Sequence, residues 1–305
     1  MRKNFLKFGL LGSNIEHSLS PLIHNTVFDR DGINARYEII DIPRDDLTEN
    51  MFYEFIRDYN GLNITSPFKT QVAEYLNGNL DYIASNTHSV NTVKIDPGSH
   101  PVGYNTDVKG FQRGILDILA AQTFFPSRLI LLGGGGVARS VIYSFLEHYQ
   151  RYGLKEIPVM IVIMRNPGKN VGLVNLIAGM PHQGLRTRLQ FVEWYEEEIL
   201  NSIKSGGLFV NATPIGSGKL KDKSVFTFED KGLKPSTGLS VADLVYNPSE
   251  TKFMKSAKGF GNTVIGGLGM LVYQALGSLE IWLDQRVSEK DIFKKLEKHG
   301  YTWLK

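Results

Sequence analysis

No cysteine occurs among the 305 residues. That excludes disulfides, thiolate zinc sites, iron–sulfur ligation and cysteine nucleophiles together, and it fits a reducing cytoplasm. Any chemistry must use oxygen and nitrogen groups. Long apolar runs are also missing: the stretch from Phe8 to Leu11 is too brief for a secretory core. Nothing elsewhere approaches the ~20 uninterrupted apolar residues that span a bilayer, so no membrane partner is expected. Charge of one sign is scarce, with 34 basic against 31 acidic side chains and a net charge of +3. So small and dispersed an excess argues against a nucleic-acid or membrane-surface partner, while a small anion needs only a local basic spot. No group of His, Asp and Glu has metal-ligand spacing, so no metal is expected. Repeats, low-complexity tracts and flexible linkers are absent too. What is present, 42% hydrophobic and 21% charged residues, is the composition of a folded globular protein, and the length predicts two domains.

The first hundred residues alternate short apolar runs with helical patterns. Phe8 to Leu11 and Tyr37 to Ile42 read as strands, and Pro21 to Arg30 and Leu47 to Tyr59 as helices. Extended segments at Gly61 to Thr65 and Val90 to Val93 complete a first α/β unit, ending near Gly103 to Asp107. A second unit opens at Arg128 to Leu132, a strand-length apolar run leading straight into four glycines and a helical pattern. Further strands are predicted at Pro158 to Met164, Leu208 to Asn211 and Leu239 to Leu244, giving an open parallel sheet. The pattern from Met270 to Trp282 is helical.

Gly133, Gly134, Gly135, Gly136, Val137 and Ala138 match G-x-G-x-x-G/A. In that motif glycines permit a tight turn and let backbone amides approach a pyrophosphate at a helix N-terminus. A plain glycine turn is the alternative; the strand before it and the helix after it favour nucleotide binding. The next strand ends Ile163-Met164-Arg165-Asn166-Pro167-Gly168-Lys169, with no acid to hold a ribose 2′-hydroxyl. Arg165 and Lys169 offer instead a planar fork and a point charge suited to a 2′-phosphate, which points to NADP. Arg165 solvating a surface loop is the other reading. Gly133 to Arg165 also exceeds the usual ~20 residues, which an extra segment around His148 to Glu156 accounts for.

His17-Ser18-Leu19-Ser20-Pro21 sets two hydroxyls just before a helix, able to hold a carboxylate or, alternatively, to act as an ordinary serine cap ahead of a first-turn proline. Asn63-Ile64-Thr65-Ser66-Pro67-Phe68-Lys69 presents amide, hydroxyl and amine groups from one loop, and Gly103-Tyr104-Asn105-Thr106-Asp107 a carboxylate from another. With Asn91 and Thr92 they make a polar ring.

These segments, read with Asn211-Ala212-Thr213-Pro214-Ile215-Gly216, Asp243 to Pro248, Thr251, Gly267 to Leu271 and Gln274-Ala275, resemble the shikimate dehydrogenase family from Phe8 to about Trp282. The resemblance implies an α/β, two-domain protein. Residues 1–107 with the C-terminal helices of about 268–305 would form an α/β substrate-binding and catalytic domain; 108–267 would form a Rossmann-like NADP-binding domain with an open, mostly parallel sheet. It also implies that Ser18 and Ser20 hold the substrate carboxylate, and that Asn63, Thr65, Asn91 and Gln274 hold its hydroxyls. Lys69 and Asp107 would flank the reacting oxygen, and Tyr246 would close the carboxylate side. Asn211, Thr213, Pro214, Gly267 and Met270 would lie against the ribose and nicotinamide. The expected reaction is reversible NADPH-dependent reduction of 3-dehydroshikimate to shikimate, on the route to chorismate and the aromatic amino acids, by a monomer or homodimer. Such a reduction moves a hydride to carbon and a proton to oxygen, and Lys69 can supply the proton while Asp107 keeps the ammonium charged and in place.

The chain departs from the family pattern at several positions. Asn14 replaces a proline, Thr87-His88-Ser89 an Ile-Gly-Ala stretch, Ser217 a methionine and Gly266 an aspartate, while Met164 and Asn166 flank Arg165 where the NADP pattern reads Asn-Arg-Thr. Three other readings compete: a quinate/shikimate dehydrogenase with relaxed substrate or NAD use, a non-catalytic ligand-binding regulator on the same fold, and a general Rossmann dehydrogenase for another hydroxy acid. The missing acid beside Arg165 argues against an NAD-preferring version of the first, the Lys69 and Asp107 pair against the second, and the Ser18, Ser20 and Gln274 set against the third.

Overall fold

The computed structural model describes residues 5–154, 158–169, 173, 188–229 and 238–305. The chain divides into two compact units, Met1–Gly110 with Leu271–Gly300, and Phe111–Met270 with Tyr301–Lys305.

The first unit is built on a five-stranded mixed sheet of β1 (Leu6–Gly12), β2 (Ala35–Asp41), β3 (Gly61–Ile64), β4 (Thr92–Lys94) and β5 (Val102–Tyr104), in the order β2-β1-β3-β4-β5. β1 runs parallel to β2 and β3, and β4 lies antiparallel to both β3 and β5. Between them stand α1 (Ser20–Asp31), α2 (Glu49–Asp58), α3 (Lys69–Tyr75) and α4 (Tyr82–Thr87). Local chemistry sets their ends. Thr48 caps α2 by accepting from the Met51 amide, Asp81 caps α4 through Ala84, and Gly32 ends α1 at φ 62°, where a side chain would be strained. Leu62, Ile64, Phe68, Val72, Phe52 and Val93 form the core on one side of this sheet. On the other side Phe8 stacks on Trp282 at 4.7 Å.

The second unit holds six parallel strands: β6 (Arg128–Leu132), β7 (Val159–Met164), β8 (Leu189–Glu193), β9 (Gly207–Asn211), β10 (Leu239–Asp243) and β11 (Thr263–Gly266). Their spatial order, β8-β7-β6-β9-β10-β11, is the doubly wound 3-2-1-4-5-6 arrangement, whose strand order reverses between β6 and β9. Burial on both faces is why Leu129 to Leu132 and Met160 to Met164 read as unbroken apolar runs rather than alternating ones. α6 (Gly136–Arg151) follows β6 directly, after α5 (Asp107–Phe111) has carried the chain out of the first unit. α7 (Leu268–Leu283) carries it back.

Every strand read from the sequence is present, with ends shifted by a residue or two. The short strands β5, β8 and β11 were not foreseen. β5 has three residues with a glycine at its centre, and so carries no periodic signal.

Candidate active site

The mixed topology brings the chemistry of the first unit to one sheet edge. β1, β2 and β3 run parallel and end there at Gly12, Asp41 and Ile64. Antiparallel β4 starts at the same edge, Thr92 lying opposite Asn63, and β5 finishes there, Tyr104 lying opposite Thr92. The segments Ser13–Ser20, Thr65–Lys69, Val90–Asn91 and Asn105–Asp107 therefore all leave or enter the sheet at one end.

At that edge Lys69 Nζ donates to Asp107 Oδ2 at 2.5 Å, the two side chains being 12% and 6% exposed. The other carboxylate oxygen accepts from Asn91 Nδ2 at 2.9 Å. The same amide reaches Thr106 Oγ1 at 2.9 Å and Gln274 Oε1 at 3.2 Å, while Asn91 Oδ1 accepts from the Thr106 amide at 2.7 Å. Lys69, Asp107, Asn91 and Gln274 are thus linked directly. Asp107 is oriented further by its own amide, which donates to Asn105 Oδ1 at 3.2 Å. Lys69 opens α3, and its carbonyl accepts from the Val90 amide, tying it to the segment that carries Asn91.

Asn63 is 4% exposed, and its groups are engaged inward. Nδ2 donates to Ser278 Oγ at 2.8 Å and to Thr92 Oγ1 at 3.0 Å, and Oδ1 accepts from the Tyr37 hydroxyl at 2.8 Å. Ser278 stands one turn beyond Gln274 on α7, and pairs with Thr92 Oγ1 at 2.8 Å. It fastens the helix bearing Gln274 to the sheet. Tyr37 in turn stacks on His24, ring centroids 4.1 Å apart. His24 is fully buried with neither ring nitrogen hydrogen-bonded, and desolvation lowers its pKa to about 3, so the ring stays neutral.

Ser18 Oγ donates to Ser20 Oγ at 3.2 Å and accepts from the Ser20 amide at the same distance. Leu19, at the N-cap position of α1, has no side-chain cap, and Ser18 Oγ takes the first-turn Ser20 amide, so Ser18 keeps part of the capping role that the sequence also allowed. Thr65 borders this loop: its methyl lies 2.4 Å from where a Cβ on Gly12 would stand, so only glycine fits there.

In the second unit the glycine loop lies at the reversal of strand order, where ligands of open α/β sheets bind. Gly133 has φ 107°, and a Cβ there would come within 3.1 Å of Ala212 O. Gly135 is the N-cap of α6 with no side chain capping it, and a Cβ added there meets nothing within 4 Å. Gly134, Gly136 and Val137 are half-buried and Ala138 is buried. Such an open backbone turn at the start of a sixteen-residue helix fits a pyrophosphate. Arg165 is exposed just beyond the end of β7, and the Lys169 side chain lies outside the described residues.

Asn211, at the end of β9, is completely buried. Its Nδ2 donates to Asp243 Oδ1 at 2.9 Å and to Ile215 O at 3.1 Å, and its Oδ1 accepts from the Thr213 amide at 3.0 Å. Its groups shape the Thr213-Pro214 loop. Asp243 also accepts from Thr251 Oγ1 at 2.6 Å, and burial raises its pKa to about 6. Tyr246 follows β10 and is half-buried. A Cβ on Gly267 would stand 2.3 Å from Leu244 O, so this glycine permits backbone contact. Met270 is 6% exposed, its amide packed 2.4 Å from the Cβ position of Gly114.

The family model described as the shikimate dehydrogenase substrate binding domain matches residues 10–93. The chain is 32% identical to the shikimate dehydrogenase (NADP(+)) of Streptococcus pneumoniae (strain 70585), over 94% of each protein. The chain belongs to the shikimate dehydrogenase family. A second family member, the shikimate dehydrogenase (NADP(+)) of Salinibacter ruber, is 33% identical, with 94% of this chain and 95% of that one covered. Among solved structures, the shikimate 5-dehydrogenase of Thermus thermophilus in complex with NADP(H) and shikimate superposes with a TM-score of 0.68 at 26% identity, covering 96% of this chain and 99% of that one.

Two departures from the family pattern have structural consequences. Asn14 stands at φ 58°, a conformation closed to the proline it replaces, and His88 ends α4 at φ 42° where the pattern has glycine. At two further departures, Ser217 donates to Pro214 O at 2.9 Å, and a Cβ on Gly266 would meet Met254 Cε at 3.3 Å. Sequence reasoning did not single out Tyr37 or Ser278, and it gave Asp243 no role beyond opening the run to Pro248. Ser278 carried a signal, standing four residues from Gln274 on the same helical face. Tyr37 carried none, because strand tyrosines are common.

Proposed function

We propose that the protein catalyses the reversible reduction of 3-dehydroshikimate to shikimate with NADPH. The observation that carries this reading is the buried Lys69–Asp107 pair, 2.5 Å apart and braced by Asn91, which also bonds Gln274, at the edge where the segment of Ser18 and Ser20 leaves the sheet. NADPH supplies the hydride to the ring carbonyl carbon. Lys69 gives a proton to the carbonyl oxygen as negative charge develops there, and takes it back in the oxidative direction. Asp107 orients the ammonium, and Asn91 and Gln274 meet ring hydroxyls, with Thr65 and Asn63 beside them. Ser18 and Ser20 hold the carboxylate.

The Gly133–Ala138 turn would hold the pyrophosphate and Arg165, with Lys169, the 2′-phosphate. The Asn211–Pro214 loop, Gly267 and Met270 would border the ribose and nicotinamide. Preference for NADP over NAD is supported by the absence of an acid between Ile163 and Lys169. Among the described residues no helix is long and apolar enough to cross a membrane. A cytoplasmic setting is supported by the cysteine-free sequence. Nucleic acid has no part in this reading, and sedimentation at assay concentration separates monomer from homodimer. Initial rates with shikimate and quinate, each with NADP and NAD, test the assignment.

A further inference from the structure

We infer that Asp41 is a positioning residue for substrate binding: its carboxylate clamps the loop that presents Ser18 and Ser20. The inference rests on the proposed role of those serines in holding the substrate carboxylate. Asp41 is the last residue of β2, in register with Gly12, the last residue of β1. It therefore stands beside the chain as it leaves β1 toward the serines. Its two oxygens take two consecutive backbone amides, Oδ1 from Asn14 at 2.8 Å and Oδ2 from Ile15 at 2.7 Å. Both lengths are those of charge-assisted hydrogen bonds. The geometry depends on Asn14 being left-handed, at φ 58°, since successive amides about such a residue converge into an anion-binding concavity.

The clamp continues to the serines through the backbone. The Ser13 amide donates to Ser66 O at 3.2 Å, linking the loop to the segment of Thr65 and Lys69, and the Ser18 amide donates to Ile15 O at 2.9 Å. Ile15, buried at 9% exposure, is thus held by Asp41 on its amide side and holds Ser18 on its carbonyl side. A proline at position 14 could supply neither the amide nor the positive φ. Here the fixed position of the loop comes from a side chain on the neighbouring strand. Although Asp41 is exposed, the donors are backbone amides already fixed by the fold, so the clamp avoids the side-chain ordering cost that weakens surface ion pairs.

The test compares Asp41→Ala and Asp41→Asn with the unsubstituted enzyme, measuring kcat, the KM for shikimate and for NADP, and amide hydrogen exchange at Asn14 and Ile15. Loss of two charge-assisted bonds is expected to raise the KM for shikimate about tenfold. kcat and the KM for NADP stay within about twofold, and exchange at both amides accelerates. Asp41→Asn, which keeps one acceptor oxygen, falls between, and carries the test should Asp41→Ala fail to fold. A shikimate KM within about twofold of the parent in Asp41→Asn with unchanged exchange, or parallel shifts in both KM values and kcat, overturns the inference. If the unsubstituted enzyme does not turn over shikimate at all, the proposed function fails, and unaltered exchange at Asn14 and Ile15 in the variants separately overturns the clamp.

Discussion

Lys69→Ala takes an ammonium that is 12% exposed away from a carboxylate that is 6% exposed, 2.5 Å distant. Two effects follow, and they have different readouts. If Lys69 supplies the proton, its loss removes general acid help of about 10²–10⁴ in rate, or roughly 3–5 kcal/mol of barrier. Because that help is exerted in the transition state, kcat and kcat/KM fall together while the KM for shikimate changes little. Asp107, meanwhile, keeps its bond from Asn91 Nδ2 but loses the opposite charge. Removing one partner of a fully buried pair costs about 3–5 kcal/mol, and the residual exposure here brings the stability loss nearer ~2 kcal/mol. The assay is steady-state oxidation of shikimate followed at the nicotinamide absorbance band, with circular dichroism confirming that the variant is folded at the assay temperature. A folded Lys69→Ala enzyme with a kcat within about tenfold of the parent would refute the assignment of Lys69 as proton donor.

Arg165→Ala is expected to raise the KM for NADP by at least tenfold while leaving that for NAD nearly unchanged, since in the proposed role the guanidinium would meet only the 2′-phosphate; equal effects on both would reject this role. His24→Phe tests the neutral buried imidazole. Because the folded pKa of about 3 lies below the ordinary value of 6.5, the unfolded chain takes up a proton as pH falls through 6.5 and the native state does not, so stability is lost toward acid. The variant is expected to gain stability over the parent in urea unfolding, by about 2 kcal/mol more at pH 5 than at pH 7.5; an equal difference at both would remove His24 as the source of acid sensitivity.

The parallel strands of the second unit were legible because burial on both faces leaves runs such as Leu129 to Leu132 and Met160 to Met164 without polar interruption. Lys69 and Asp107 could be picked out as candidates only by their company among several motifs, and the ion pair itself follows from long-range pairing of β3, β4 and β5 that no local pattern encodes. The layer behind the site was less legible still. Tyr37 fixes which way the Asn63 amide faces, and Asp243 gathers Asn211, Val245 and Thr251, yet each stands in an ordinary strand sequence. Asn211 shows the limit most clearly: its motif marks a loop at the end of a strand, and nothing in that motif foretells that the side chain is turned wholly inward.

The central claim is tested most directly by initial rates of the purified protein at the nicotinamide band, offering shikimate and quinate separately with NADP and with NAD. A rate confined largely to shikimate with NADP is the expected result. Comparable rates with quinate or NAD would contradict the specificity assigned here, and no rate in any of the four would contradict the reaction itself.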